Sequence, residues 1–225
     1  STCLLVHHEG ARLLIDCPHP IRKVLAESAP GVDVPDIDAV VLTHLHGDHC
    51  SGLEGFAFFS HFVLGRPVPL VAWRPVADRL WERLAPGMDR LRPDLASPPV
   101  PKTRDDYFAV TDLPLDAPLR VGPFTIEARP TLHHVPTTAL RISAGGATLG
   151  YSADTAFDPT LIDWLADADL IVHETNLGTH TPLADLIGLP SPIRDRLALV
   201  HYPDFFDLDD CPLRCLRQGE TIEIR

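Results

Sequence analysis

The 225-residue sequence contains no apolar run that approaches the roughly 20 residues needed to cross a membrane. Residues 1–9 have neither a basic segment nor the apolar core of a signal peptide. Positive charge is also scarce, since 19 Lys and Arg face 31 Asp and Glu for a formal net charge of -12. Broad binding to nucleic acids or anionic membranes needs a positive field, so the composition argues against both. We predict a cytoplasmic protein.

Cysteine is infrequent and follows no disulfide framework. The five cysteines are an odd number at irregular spacing, which is typical of unpaired thiols in a reducing compartment. Internal repeats and low-complexity segments are absent from the sequence. The content of 45% hydrophobic and 22% charged residues is that of a globular protein, and the length suits one large domain. We predict a single domain over residues 1–225 with a Pro-rich insertion at about 86–118.

Short β-branched apolar runs and longer runs with helical spacing alternate along the chain. The first kind predicts strands and the second predicts helices. The predicted strands are residues 3–7, 12–16, 39–43, 68–72, 124–129, 139–143, 147–152, 170–172, 197–201 and 221–224. The predicted helices are residues 21–28, 75–84 and 161–166. Strands that arrive in two groups with helices between them predict a layered α/β sandwich.

Three histidines and one aspartate lie within the six residues that follow the predicted strand 39–43. His44 and His46 are two apart, so both rings can converge on one ion, whereas Asp48 and His49 can face a second ion. Imidazole and carboxylate groups are the ligands that zinc and related divalent metals prefer. Gly47 permits the tight backbone that such crowding requires. The segment therefore predicts a metal site.

This HxHxDH segment resembles the signature of the metallo-β-lactamase superfamily. Three later motifs follow in that family's order: HHVPTTALRI with His134, YSADT with Asp154, and ALVHYP with His201. The resemblance implies an α/β fold, an αββα four-layer sandwich. It also implies two divalent metal ions, zinc first, with manganese or iron as alternatives.

The resemblance distributes the ligands between the two ions. His44, His46 and His134 would bind one ion, Asp48, His49 and His201 would bind the other, and Asp154 would bridge both. His133 stays open as an alternative to its neighbour His134. A family member usually has one more strand before the segment that matches residues 3–6, so we expect that strand to be missing from this sequence.

YSADT, HHVPTTALRI and IVHET are most similar to the ribonuclease Z and cyclic-phosphodiester branch of the superfamily. In that branch a further histidine about 20 residues before the last ligand faces the scissile phosphate, and His180, 21 residues before His201, resembles it. The resemblance implies catalytic roles for His180 and Asp48. His173 and Glu174 could orient His180 or a metal ligand, or could be ordinary structural hydrogen-bonding groups.

The arm with which ribonuclease Z grips tRNA has no counterpart here. Only 19 residues separate His134 from Asp154, and two predicted strands already occupy them. We therefore predict a hydrolase with a dinuclear site that cleaves a small or cyclic phosphodiester by attack of a metal-bridging hydroxide. A lactonase, a thioesterase or another carbonyl-ester or amide hydrolase is the alternative, and a non-catalytic ligand-binding protein is a third.

The predicted partner is a small anionic molecule rather than tRNA or a membrane, and a homodimer is possible because many relatives are dimers. The sequence leaves the substrate-binding residues unknown. Between Arg66 and Arg104 lie eight Lys and Arg but only four Asp and Glu. This basic stretch could form a lid over an anionic ligand, with Arg90, Arg92, Lys102 and Arg104 as candidates, or could be a solvated loop.

Overall fold

A computed structural model describes residues 2–224, which divide into two compact units, residues 3–113 and a unit that begins at Pro114. The first unit has seven strands, β1 (Leu4–His8), β2 (Ala11–Ile15), β3 (Ala39–Leu42), β4 (Val68–Ala72), β5 (Arg90–Leu91), β6 (Val100–Pro101) and β7 (Phe108–Asp112). Its helices are α1 (Ile21–Ser28), α2 (Gly47–Cys50), α3 (Leu53–Phe59) and α4 (Arg74–Met88).

The main sheet of the first unit has the strand order β1-β2-β3-β4-β7, and β5 and β6 form a separate pair. β1 and β2 are antiparallel, whereas β2, β3, β4 and β7 are parallel. All four residues of β3 are buried, as expected for the centre of a parallel sheet. Because parallel strands end at the same edge, the residues that follow β2 and β3 are brought together.

The predicted insertion at 86–118 contains regular secondary structure that belongs to the first unit. Its first residues belong to α4, which continues through Pro86 to the buried Met88. Phe108 is also buried, and its strand β7 pairs with β4 along the full length of both strands. The sequence did not reveal this strand because its partner lies about 40 residues earlier in the chain, at Val68–Ala72.

The second unit contains a seven-stranded sheet with the order β14-β13-β12-β11-β10-β9-β8. Its strands are β8 (Leu119–Val121), β9 (Phe124–Pro130), β10 (Thr138–Ala144), β11 (Ala147–Tyr151), β12 (Leu170–Glu174), β13 (Leu197–Val200) and β14 (Arg214–Cys215). Its helices are α5 (Pro159–Leu165), α6 (Leu183–Ile187) and α7 (Ser191–Arg194). β8 to β11 are antiparallel, and β11 to β14 are parallel.

The expected terminal strand at residues 221–224 was wrong. These residues have no regular secondary structure, and the edge strand of the sheet is β14, seven residues earlier. Alternating Thr, Ile and Glu suit a strand, but a strand also needs a partner edge, and β14 already occupies the edge of β13. Within residues 2–224, no helix combines the length and apolar character of a membrane span.

Two glycines, one directly before α3 and one within it, give a matched test of the packing of this helix. Gly52 precedes the helix and lies against residues 17 and 18, and a Cβ there would collide with the carbonyl oxygens of Pro18 and Cys17. A Cβ on the exposed Gly55 would meet nothing. We expect Gly52→Ala to lower the free energy of unfolding by about 2 kcal/mol, because rigid backbone must move.

Gly55→Ala should raise the free energy of unfolding by about 0.5–1 kcal/mol, since alanine favours the helix. Urea denaturation of both variants measures the pair. Equal effects of the same sign would contradict the packing described for Gly52.

Candidate metal centre

Ligand-type side chains cluster at the edge of the first sheet where β2 and β3 end. Asp16 follows β2, and His44 follows β3. His49, in the short helix α2, lies beside them, and ligand atoms of Asp16, His44 and His49 are within 4.8 Å of one another. All three residues are buried. Sequence analysis predicted both histidines but missed Asp16.

The hydrogen bonds that Asp16 accepts decide which ring nitrogens of His49 and His44 are left to bind a metal. Its Oδ2 accepts a hydrogen bond from Nδ1 of His49 at 2.8 Å, which leaves Nε2 of that ring as the metal-binding nitrogen. Its Oδ1 accepts from the backbone N–H of Thr43 at 2.8 Å. The Thr43 hydroxyl also donates to Asp16, and it accepts a hydrogen bond from Nδ1 of His44 at 3.0 Å. Nε2 of His44 is therefore also left for a metal.

The distances between the ligand atoms suit divalent ions. Nε2 of His44 lies 3.2 Å from Nδ1 of His46. Two nitrogens on one tetrahedral zinc ion would be separated by about 3.4 Å. Nε2 of His49 lies 3.4 Å from Oδ2 of Asp48, which is the spacing of two ligands on a second ion. The donor set and the spacing in the first unit both fit divalent metal binding.

The neighbouring cysteine is not a competing ligand. Burial raises the pKa of the Cys50 thiol, so that the thiol stays protonated at neutral pH. Burial likewise raises the pKa of Cys17 and brings that of Cys3 to about 11. A thiolate is the form that binds metals, so the histidines and carboxylates are the effective ligands here.

A second cluster lies at one edge of the second sheet. His133 follows β9, Asp154 follows β11 and His201 follows β13. Nε2 of His133 is 3.8 Å from Oδ2 of Asp154, and Nδ1 of His201 is 3.7 Å from the other carboxylate oxygen, Oδ1. The two oxygens of the buried Asp154 thus face two different histidines, an arrangement that suits a carboxylate shared between ions.

The structure brings His133 to this cluster, where the sequence analysis preferred His134. The His133 side chain is fully buried and its ring faces Asp154, whereas His134 is exposed. The two residues are adjacent, so the family pattern could not distinguish them. Only the path of the β9–β10 connection decides which ring points inward.

Glu174 connects the catalytic candidate His180 to this cluster. Its carboxylate is buried, and both oxygens accept from Nδ1 of His180, at 2.8 and 2.9 Å. One oxygen also accepts the backbone N–H of Thr155 at 2.6 Å, and the other lies 3.3 Å from Nδ1 of His201. Glu174 therefore orients His180, one of the two roles considered for it.

The neighbouring His173 has a structural environment. Its ring is buried, and Nδ1 lies 2.7 Å from the carbonyl oxygen of Glu174. Burial lowers the pKa of His173, which keeps the ring neutral near neutral pH.

Backbone strain is concentrated at these two clusters. Four described residues other than glycine have a positive φ, and three of them are Asp16 (61°), Ala153 (49°) and His201 (54°). Each such conformation costs of order 1–3 kcal/mol and persists only where the surroundings impose it. Strain at a buried carboxylate, beside Asp154 and at a histidine indicates that the backbone is shaped for these side chains.

The fold as a whole matches solved structures of one class. The metallo-β-lactamase fold protein YhfI from Bacillus subtilis aligns with a TM-score of 0.76 at 22% identity, covering 97% of this chain and 90% of its own. A diphosphatase of the PhnP family gives 0.74 at 16% identity, covering 99% and 84%. The short form of human tRNase Z gives 0.72 at 19% identity, covering 100% and 92%. The predicted fold class is confirmed: the chain has the metallo-β-lactamase fold.

The fold and the two clusters together define a protein of the metallo-β-lactamase fold whose residues suit divalent metal ions. Sequence comparison identifies the family within this class: the family described as Anti-Pycsar protein Apyc1 matches residues 1–219. The Anti-Pycsar protein Apyc1 of Bacillus phage 010DV004 is 33% identical over 218 residues, which are 91% of this chain and 82% of that protein. Its counterpart in Paenibacillus sp. (strain J14) is 35% identical over 202 residues, 85% and 78% of the two chains.

The chain belongs to the Anti-Pycsar protein Apyc1 family. Membership confirms the predicted hydrolase of phosphodiesters and the resemblance to the ribonuclease Z and cyclic-phosphodiesterase branch. Divalent metal binding is supported by the ligand clusters.

Asp16 offers a direct test of how the metal ligands are held. In Asp16→Asn the amide cannot accept hydrogen bonds on both sides, so the orientation of His49 and Thr43 is lost. We expect zinc affinity to fall about 10–100-fold, measured by competition with a chromogenic chelator.

Asp38→Asn is the control, because Asp38 is an exposed carboxylate whose one hydrogen bond within residues 2–224 is accepted from the backbone N–H of Arg12. It should leave zinc affinity unchanged. Wild-type affinity in Asp16→Asn would contradict the positioning role.

Proposed function

We propose that this protein hydrolyses a cyclic nucleotide with the help of two divalent ions, zinc before manganese or iron. The proposal rests on membership of the Anti-Pycsar protein Apyc1 family and on the pairing of His180 with Glu174 within a histidine–carboxylate cluster. That pairing is the single observation that carries the proposal. A protein that only binds metal would need the metal ligands, but it would not need His180 held in one orientation by Glu174.

We propose that the metal ligands are His44, His46, Asp48, His49, His133, Asp154 and His201. The resemblance to the superfamily supports this assignment, with His133 in the place that the sequence analysis gave to His134. Two divalent ions would activate water for attack and offset the negative charge of the phosphodiester.

Asp48 combines a ligand-type side chain with access to solvent. Its side chain is 38% exposed, whereas its neighbour His49 is fully buried. A carboxylate at such a position can bind metal through one oxygen and accept a hydrogen bond from water through the other. We propose that Asp48 orients the attacking water in this way.

His180 is placed to assist the leaving oxygen. Because Nδ1 donates to Glu174, the other ring nitrogen, Nε2, is left to face a substrate. The side chain of His180 is 20% exposed, while that of Glu174 is only 1% exposed. We propose that His180 donates a proton, or a hydrogen bond, to the oxygen that leaves phosphorus when the phosphodiester ring opens.

The first experiment measures hydrolysis of bis(p-nitrophenyl) phosphate and of 2′,3′- and 3′,5′-cyclic nucleotides by the zinc- or manganese-loaded protein. Wild type should turn over at least one cyclic nucleotide, and chelation should abolish turnover. His180→Ala should lower kcat about 10²–10⁴-fold, the range typical of general acid–base catalysis.

His7→Ala is the matched control, since His7 is an exposed residue of β1. It should leave kcat unchanged. A well-metallated wild type that cleaves lactones or thioesters but no phosphodiester would contradict the proposal. So would wild-type kcat in His180→Ala.

Glu174 is expected to act as a positioning residue through His180. Glu174→Gln should lower kcat for the phosphodiester, because the amide holds the ring less firmly and can present a donor to Nδ1. The double variant Glu174→Gln/His180→Ala should be no slower than His180→Ala alone.

Glu127→Gln serves as the control, since Glu127 pairs with Arg141 at 2.8 Å on β9 and β10. Additive losses in the double variant would show that Glu174 acts independently of His180. Zinc content, determined for every variant, separates catalysis from metal loss.

A further inference from the structure

An arginine of α4, Arg83, contacts the metal-binding segment, by which we mean residues 44–50. Nε of Arg83 donates a hydrogen bond to Sγ of Cys50 at 3.1 Å. The thiol in turn donates to the carbonyl oxygen of Leu45, which stands between His44 and His46. Nη2 of Arg83 lies 3.2 Å from the position that a Cβ on Gly47 would occupy. The guanidinium therefore lies beside the residue that precedes Asp48.

The charge of Arg83 is not matched by an ion pair. Within residues 2–224 its side chain forms no ion pair with a carboxylate, and its only hydrogen bond is to the thiol. On the same helix, Arg74 pairs with Asp78 at 3.7 Å and Arg79 pairs with Glu82 at 3.5 Å. Arg83 also differs from these two arginines because its guanidinium lies next to a segment of candidate metal ligands.

Three of the four cationic side chains that were predicted to cover an anion have partners nearby in the chain. Lys102 pairs with Asp106 at 3.2 Å, and Arg104 pairs with Asp105 at 2.9 Å. Arg92 donates to the carbonyl oxygen of Ser97 at 2.7 Å. Arg83 lies in the same basic stretch, but its contacts are to the metal-binding segment.

A guanidinium in this environment has donors to offer. It carries five N–H groups in a planar fork that matches phosphate oxygens, and only the Nε–H is used by Cys50. Gly47 also leaves room for the guanidinium, because a Cβ at this position would lie 3.2 Å from Nη2 of Arg83.

We propose that Arg83 binds the phosphate group of the substrate, an inference that rests on the proposed phosphodiesterase function. The Arg83 guanidinium would supply two features that the histidines and carboxylates do not. It gives a fixed positive charge for an anionic substrate, and it gives hydrogen-bond donors beside Asp48.

The test compares Arg83→Gln with Arg79→Gln, which changes an ion-paired arginine one turn earlier on the same helix. Steady-state kinetics on bis(p-nitrophenyl) phosphate and on a turned-over cyclic nucleotide give KM and kcat. Calorimetry with inorganic phosphate and the zinc-loaded protein gives binding without turnover. Arg83→Gln should raise KM and the phosphate Kd at least tenfold with zinc content unchanged, and Arg79→Gln should change neither.

Arg83→Lys keeps the charge but loses the fork, so its KM should lie between those of wild type and Arg83→Gln. Unchanged KM and phosphate affinity in Arg83→Gln would overturn the inference. Loss of zinc with unchanged phosphate affinity would also overturn it, because Arg83 would then only support the segment. If wild type cleaves no phosphodiester yet binds phosphate through Arg83, the proposed function fails and the anion site stands.

Discussion

The buried carboxylate of Asp16 is the constraint on which the metal-binding segment depends. A fully buried charge is costly unless hydrogen bonds replace its water, and Asp16 receives them from Thr43 and His49. The same bonds select the ring nitrogens that face outward. Because Asp16 also adopts a positive φ at the end of β2, the sheet edge, the carboxylate and the histidines form one cooperative unit.

The second unit uses a comparable device at its own sheet edge. Glu174 ends β12 with a buried carboxylate, and it orients His180 as Asp16 orients His49. The outcome differs, since the residue oriented by Asp16 is a proposed metal ligand and the one oriented by Glu174 is a proposed proton donor. Similar second-layer carboxylates therefore support two different kinds of chemistry.

The charge distribution explains how an acidic chain can act on an anion. The net charge of -12 disfavours long nucleic acids, whose binding depends on many phosphate contacts. A small phosphodiester presents one charge, which the proposed metal ions and Arg83 would offset. The proposed preference for a small substrate therefore agrees with the composition that argued against tRNA.

The sequence by itself predicted the fold class, the candidate metal ligands within residues 44–49 and the order of the later motifs. These features are local, because ligands two or three residues apart after a buried strand are readable without tertiary structure. Most strands were predicted for the same reason. The strand predicted at 221–224 was wrong, because a strand forms only where a partner edge is available.

Tertiary structure decided the features that depend on distant pairs. Asp16 reaches His49 across 33 residues, and Arg83 reaches Cys50 across another 33. The path of the β9–β10 connection decides that the ring of His133, and not that of His134, faces Asp154. Strand β7 forms because it pairs with β4. Side-chain direction and long-range register carry no local signature, so only the folded chain shows them.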